Sequence, residues 1–157
     1  INYLNSGKNV ALVSDSGTPL ISDPGFKLVR YLNENNYNVI PIPGPSAAIT
    51  ALSASGLPTD KFVFLGFLPK KISGMQKMLN EYGNLDATLV IYESPYRIKK
   101  LLNAIYDTLG NRQIFLSKDL TKMYQKLTYS SLKDIISGLE NIKEKGEYTV
   151  LVAKKDL

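Results

Sequence analysis

The sequence reads as an α/β protein built on parallel strands. Short apolar runs without polar alternation, such as Val10–Val13, suit strands buried on both faces. Each early run leads into a loop rich in Gly, Pro, Ser and Asp, and each loop leads into an amphipathic stretch. Strand, loop and helix thus recur in order, which places crossover helices against a sheet.

Each element follows from local signals. Ile1–Ser6 reads as a helix end closed by Gly7, so the chain opens inside an element, as a truncated piece would. Val10–Val13 is a strand that runs into Ser14–Gly25. Asp23 is placed as N-cap and Pro24 at the first helical position, with Leu28, Val29 and Leu32 on the apolar face of the helix that follows. Asn38–Pro43 is a second strand, and Ser46 caps a helix over Ala47–Ser55 that Gly56-Leu57-Pro58 breaks. Beyond this break the sequence predicts strands at Phe62–Phe67, Thr88–Tyr92, Gln113–Ser117, Gln125–Tyr129 and Tyr148–Ala153. Helices are expected at Ser73–Tyr82, Pro95–Leu109 and Ser131–Gly138, with antiparallel pairing allowed late in the chain. The domain boundary is set at Gly56–Asp60, giving domains 1–57 and 58–157.

At 157 residues and 44% hydrophobic, the chain can bury one substantial core or two small ones. It has neither cysteine nor histidine, which removes disulfides, zinc-thiolate sites, Cys nucleophiles and every His-dependent triad. No metal ligand set is expected. No apolar run is long enough for a membrane span, and a cysteine-free chain is compatible with a reducing cytosol. The net charge of +5 is unevenly placed. Residues 1–58 carry three basic and three acidic groups, whereas residues 59–157 carry sixteen and eleven. The excess of cations in the second part is what a polyanion-facing surface requires, although solvated helix faces produce it too.

Four loops carry candidate chemistry. Ligands of open parallel sheets collect beyond the carboxyl ends of strands, where backbone N–H groups and helix starts are exposed. The loop Asp15–Gly25 combines rigid backbone shapers, among them Gly17, Pro19 and Pro24, with hydrogen-bonding side chains on Asp15, Thr18, Ser22 and Asp23. It is longer than the usual βα connection. Pro43-Gly44-Pro45-Ser46-Ala47-Ala48 sets small residues at a helix start, which leaves room for a ligand or for close helix packing. Tyr92-Glu93-Ser94-Pro95-Tyr96-Arg97 brings a carboxylate and a guanidinium to a strand end, where they can contact a ligand or pin the loop by pairing. Lys118-Asp119-Leu120-Thr121-Lys122 follows a further strand.

Read together, these motifs carry a resemblance. Ser14-Asp15-x-Gly17-Thr18-Pro19-x-Ile21-Ser22-Asp23-Pro24-Gly25, then Pro41-x-Pro43-Gly44-Pro45-Ser46-Ala47, Phe64–Pro69, Tyr92–Arg97 and Leu120-Thr121-Lys122 occur in the order found in the tetrapyrrole methylase superfamily. The chain is most similar to its branch acting on ribosomal RNA. The resemblance implies a two-domain fold, each domain a mostly parallel sheet flanked by helices, with the first domain incomplete here. It implies a cytoplasmic homodimer without membrane attachment that binds S-adenosylmethionine in an interdomain cleft. The implied reaction is methylation of a ribose 2′-hydroxyl of a cytidine in small-subunit ribosomal RNA, with the 30S subunit as partner. The piece alone is expected to be inactive.

Carried over by position, Asp15, Gly17, Thr18, Pro19, Ser22, Asp23, Ser46, Ala47 and Ala48 belong to the donor pocket, together with Tyr92, Glu93, Leu120 and Thr121. Ser16 replaces the usual Ala, and Asp119 a usual Glu. In-line methyl transfer needs alignment and an acceptor for one proton, for which Glu93, Asp119, a neutral Lys122 and a residue of the segment expected ahead of this chain are the candidates. Lys70, Lys71, Arg97, Lys118 and Lys122 are the expected RNA contacts. Two other readings share the fold: a methyltransferase acting on a tetrapyrrole, which the basic second domain disfavours, and a non-catalytic RNA-binding or dimerisation module.

Overall fold

The computed structural model describes all residues from Ile1 to Leu157. Two compact units emerge, Ile1–Ser46 and Ala47–Leu157. The division falls ahead of the helix that sequence patterning assigned to the first domain, because that helix packs on the sheet of the second unit.

The first unit holds two helices, α1 (Asn2–Asn5) and α2 (Phe26–Glu34), joined by extended and turning backbone. None of its residues is buried. Neither Val10–Val13 nor Asn38–Pro43 forms a strand, contrary to expectation, and their apolar side chains lie open, with Val13 81% and Ile42 76% exposed. The parallel sheet expected for this part is therefore not formed. A strand exists only through ladder hydrogen bonds to a neighbour, and these segments pair with none. Helix α2 also starts later than expected. Its N-cap is Gly25 at φ 130°, with no side-chain cap, rather than Asp23. A Cβ at Gly25 would stand 2.9 Å from side-chain atoms of both Leu12 and Leu20, so both φ and space require glycine here.

The second unit is a three-layer α/β sandwich. Helix α3 (Ala47–Ser55) lies on one face of a five-stranded sheet, and α4 (Ile72–Tyr82), α5 (Ile98–Leu109) and α6 (Leu132–Ser137) lie on the other. The strands β1 (Phe62–Phe67), β2 (Thr88–Glu93), β3 (Gln113–Lys118), β4 (Lys126–Ser131) and β5 (Tyr148–Val152) are ordered β1-β2-β5-β3-β4. Only β1 and β2 run parallel; β5 is antiparallel to both β2 and β3, and β3 to β4. The expectation of a mostly parallel sheet is thus corrected to a mixed one. The β3–β4 connection is short enough for a hairpin, and β5 returns between strands already laid down.

The predicted elements recur within a few residues, and their patterns explain their packing. On α5, Ile98, Leu101, Leu102 and Ile105 recur at one-turn spacing and are all fully buried. Each such side chain contributes about 1.5–3 kcal/mol. Gly110 stops the helix at φ 73°. Ser131 caps α6, its Oγ accepting the Asp134 N–H at 3.2 Å and donating to the Asp134 carboxylate at 2.6 Å. Alternation along β2 sends Leu89 and Ile91 to the three-helix side and Val90 to the α3 side. No helix is long and apolar enough to cross a membrane.

Candidate functional site

Within the first unit, the Asp15–Gly25 loop is held from inside. The Ser14 hydroxyl donates to the Gly17 carbonyl at 2.8 Å, and the Thr18 hydroxyl donates to the Pro45 carbonyl at 2.8 Å. That second bond ties together two loops that the sequence offered separately. It also leaves little room at Gly44, where a Cβ would lie 3.0 Å from the Thr18 hydroxyl. Asp15, Gly17 and Ser22 are exposed, while Thr18, Pro19, Asp23 and Ser46 are half-buried.

Within the second unit, residues from three distant segments meet. The N–H of Ala48, at the start of α3, donates to the Tyr92 hydroxyl at 3.0 Å. Edge-on contacts hold the Tyr92 ring, with Phe64 at 4.9 Å and Phe67 at 5.8 Å between centroids. Leu120, from the loop after β3, packs with Tyr92 against the same apolar cluster that contains Ala48. The sequence-derived donor residues Ala48, Tyr92 and Leu120 are therefore neighbours. Ala47 opens the helix beside them.

Leu120 lies between Asp119 and Thr121, whose backbone has an unusual shape. Five non-glycine residues have positive φ, and four of them, Leu20, Ser22, Asp119 and Thr121, lie in the two candidate loops. Such conformations cost on the order of 1–3 kcal/mol each and persist where surroundings over-determine them. For Asp119 those surroundings are visible: its carboxylate pairs with the Lys118 ammonium and accepts the Glu147 N–H at 3.1 Å. The Thr121 N–H donates to the Gln125 side-chain carbonyl at 2.7 Å. No residue-type pattern announces these twisted positions, and the sequence reading missed them.

The remaining candidates divide by accessibility. The Glu93 side chain is fully enclosed: its Oε1 accepts the Ser94 N–H at 2.7 Å, while its Oε2 lies 3.1 Å from the Arg97 guanidinium and makes no hydrogen bond. Burial pushes its pKa up, against the opposing pull of the Ser94 N–H and of Arg97. Arg97 in turn donates to the Leu68 and Pro69 carbonyls at 2.8 and 3.2 Å, which pins the β1–α4 turn. Lys70 and Lys71 sit exposed on that turn. Lys118 is committed to Asp119, and Lys122 pairs with Glu147 at 2.9 Å. The Glu147 hydrogen bond raises the Lys122 pKa, which keeps the amine protonated at neutral pH.

The family model of tetrapyrrole (corrin/porphyrin) methylases matches residues 1–136. The chain belongs to this family. Among curated tetrapyrrole methylase relatives, ribosomal RNA small subunit methyltransferase I of Rickettsia prowazekii (strain Madrid E) is 44% identical over 98% of the chain and 55% of its own length. The protein of that name from Vibrio cholerae is 44% identical over 97% and 54%, and that from Bacillus subtilis 38% over 97% and 52%. The chain therefore spans about half the length of these relatives. Among solved structures, the methyltransferase CobJ matches with a TM-score of 0.69 at 21% identity, covering 98% of this chain and 67% of that one. Diphthine synthase matches with a TM-score of 0.64 at 10% identity, covering 87% and 57%. Uroporphyrin-III C-methyl transferase from Thermus thermophilus, complexed with S-adenyl homocysteine, matches with a TM-score of 0.56 at 16% identity, covering 86% and 62%. These likenesses establish the shared methylase fold.

Proposed function

We propose that this tetrapyrrole methylase is part of an S-adenosylmethionine-dependent enzyme that methylates a cytidine ribose 2′-hydroxyl of small-subunit ribosomal RNA, acting as a cytoplasmic homodimer. The observation that carries the reading is the identity of 38–44% over 95–99% of the chain to relatives named ribosomal RNA small subunit methyltransferase I. The residues fit the implied donor. In the first unit the loop holding Leu20 and Ser22 has a costly backbone conformation; in the second unit the Asp119–Thr121 backbone does too, and there Ala48 lies beside Tyr92 and Leu120.

The donor, when bound, supplies an electrophilic sulfonium methyl group. Asp15, Gly17, Thr18, Pro19, Ser22, Asp23 and Ser46 in the first unit are proposed to hold it by hydrogen bonds and backbone approach. Ala47, Ala48, Tyr92, Leu120 and Thr121 are proposed to do so in the second. The acceptor hydroxyl loses one proton on transfer. Between Glu93 and Lys122, the lysine stays protonated and suits a phosphate, which leaves Glu93, whose enclosed carboxylate must be uncovered to meet the acceptor hydroxyl. Lys70 and Lys71, exposed on the β1–α4 turn, complete the proposed RNA contacts, whereas Arg97 and Lys118 are taken up by the Leu68 and Pro69 carbonyls and by Asp119.

The test is incubation of the full-length protein with small ribosomal subunits and isotopically labelled S-adenosylmethionine, followed by mapping of the labelled ribose. Label in a single cytidine ribose is expected, and no transfer to ribosomal RNA would refute the reading. Asp15→Ala is expected to weaken donor binding roughly tenfold in calorimetric titration while the unfolding midpoint stays put.

A further inference from the structure

The second unit carries a groove that none of the donor-side residues explains. Its volume is about 970 Å³, and it lies between the loop after β3 and the segment from α6 to β5. Five lysines line it against two carboxylates. Two of these lysines, Lys118 and Lys122, are paired with Asp119 and Glu147, whereas Lys126, Lys143 and Lys145 are exposed and enter none of the ion pairs of the chain. At its lip, Tyr124 is 78% and Met123 88% exposed.

An open lysine cluster alone is ordinary. Tyr124 sets an exposed aromatic face beside this cluster, which lysines alone do not supply. Cations that track a phosphate backbone together with an aromatic face on which bases stack are the two requirements of single-stranded nucleic acid binding. Double-stranded partners bury their bases and would leave Tyr124 unused. The volume is at the upper end of the roughly 300–1,000 Å³ of small-ligand pockets, more than a single small anion fills.

The placement fits as well. The groove shares Leu116, Ile135 and Tyr148 with the core on the three-helix side of the sheet, whereas Leu120 and Tyr92 pack on the α3 side. The loop Asp119–Gln125 thus has the candidate donor residues on one side and the groove on the other. We infer that this groove holds a single-stranded segment of the RNA substrate, with Tyr124 as a stacking platform and Lys126, Lys143 and Lys145 as phosphate contacts. The inference rests on the proposed RNA substrate and names the surface that receives it.

The test uses the full-length protein and a fluorescently labelled single-stranded RNA oligonucleotide, titrated at several salt concentrations. Replacing Lys126, Lys143 and Lys145 together by Ala is expected to lower the slope of log affinity against log salt by about 2. A charge-matched control, with Lys27, Lys77 and Lys155 replaced by Ala, is expected to keep the wild-type slope. Tyr124→Ala is expected to cost about tenfold in affinity and Tyr124→Phe to restore it. An unchanged slope in the groove variant, full affinity in Tyr124→Ala, or an altered oligomeric mass with RNA affinity intact would each overturn the groove assignment. Small-subunit methylation by the wild type is scored separately. If it proceeds while the groove variants bind RNA normally, the groove assignment fails and the reaction stands; if it is absent, the proposed reaction itself is refuted.

Discussion

Asp119 and Gly146 form a two-residue lock under the candidate donor loop. Gly146 has φ 98°, and a Cβ there would stand 2.6 Å from the Asp119 carboxylate. Gly146→Ala therefore meets a backbone penalty and a steric one, and is expected to destabilise the chain by about 1–3 kcal/mol in urea unfolding. Because the displaced carboxylate anchors the backbone leading to Leu120 and Thr121, donor affinity should fall as well. At this scale the sequence was partly legible. The residue types at Tyr92, Leu120 and Ala48 marked positions that the fold brings together, through motif order rather than physics. The positive φ values at Leu20, Ser22, Asp119 and Thr121 were invisible, since residues that rarely adopt such a conformation advertise nothing when surroundings force it. Arg97 shows the same limit: a guanidinium can face a phosphate or a carbonyl, and here it donates to the Leu68 and Pro69 carbonyls.

Among elements, the residues flanking β1, β2 and β5 are linked electrostatically. Asp86, ahead of β2, accepts from Lys61 at 2.8 Å and from Lys154 at 2.6 Å. Hydrogen bonds from Lys154 and Lys61 bring its carboxyl down to a pKa of about 2 from 3.8. A carboxylate depressed in the fold contributes stability above its unfolded pKa and loses it as pH falls through the folded one. The contribution of Asp86 is therefore present at neutral pH and disappears between about 4 and 2. Since all three groups are solvated, NMR titration should show the midpoint moving back toward 3.8 in about 1 M salt. Element existence was readable wherever one face repeats, as along α5, or where apolar residues run together, as in β2. Val10–Val13 and Asn38–Pro43 show why that signal is incomplete: an apolar run supplies a strand's side chains, but its hydrogen bonds must come from elsewhere.

At the scale of the whole molecule, stability is unevenly distributed. The second unit contains two apolar clusters, whereas residues 1–46 bury no side chain. Hydrogen exchange on the 157-residue chain is accordingly expected to be slowest in β2, β3, β5 and α5, and fast throughout residues 1–46. Limited proteolysis should cut the first unit before the second; equal protection of both would contradict this division. The mixed sheet could not be read from local pattern, because the sequence order of strands says little about which become neighbours.

The central position of β5 between β2 and β3 carries a consequence for biosynthesis. The β1–β2 pair and the β3–β4 hairpin can each form as soon as they leave the translation machinery, but they do not pair with each other. They stay two half-sheets with unsatisfied facing edges until the strand that joins them has been synthesised, so these five strands close into one sheet only when β5 arrives between the other four.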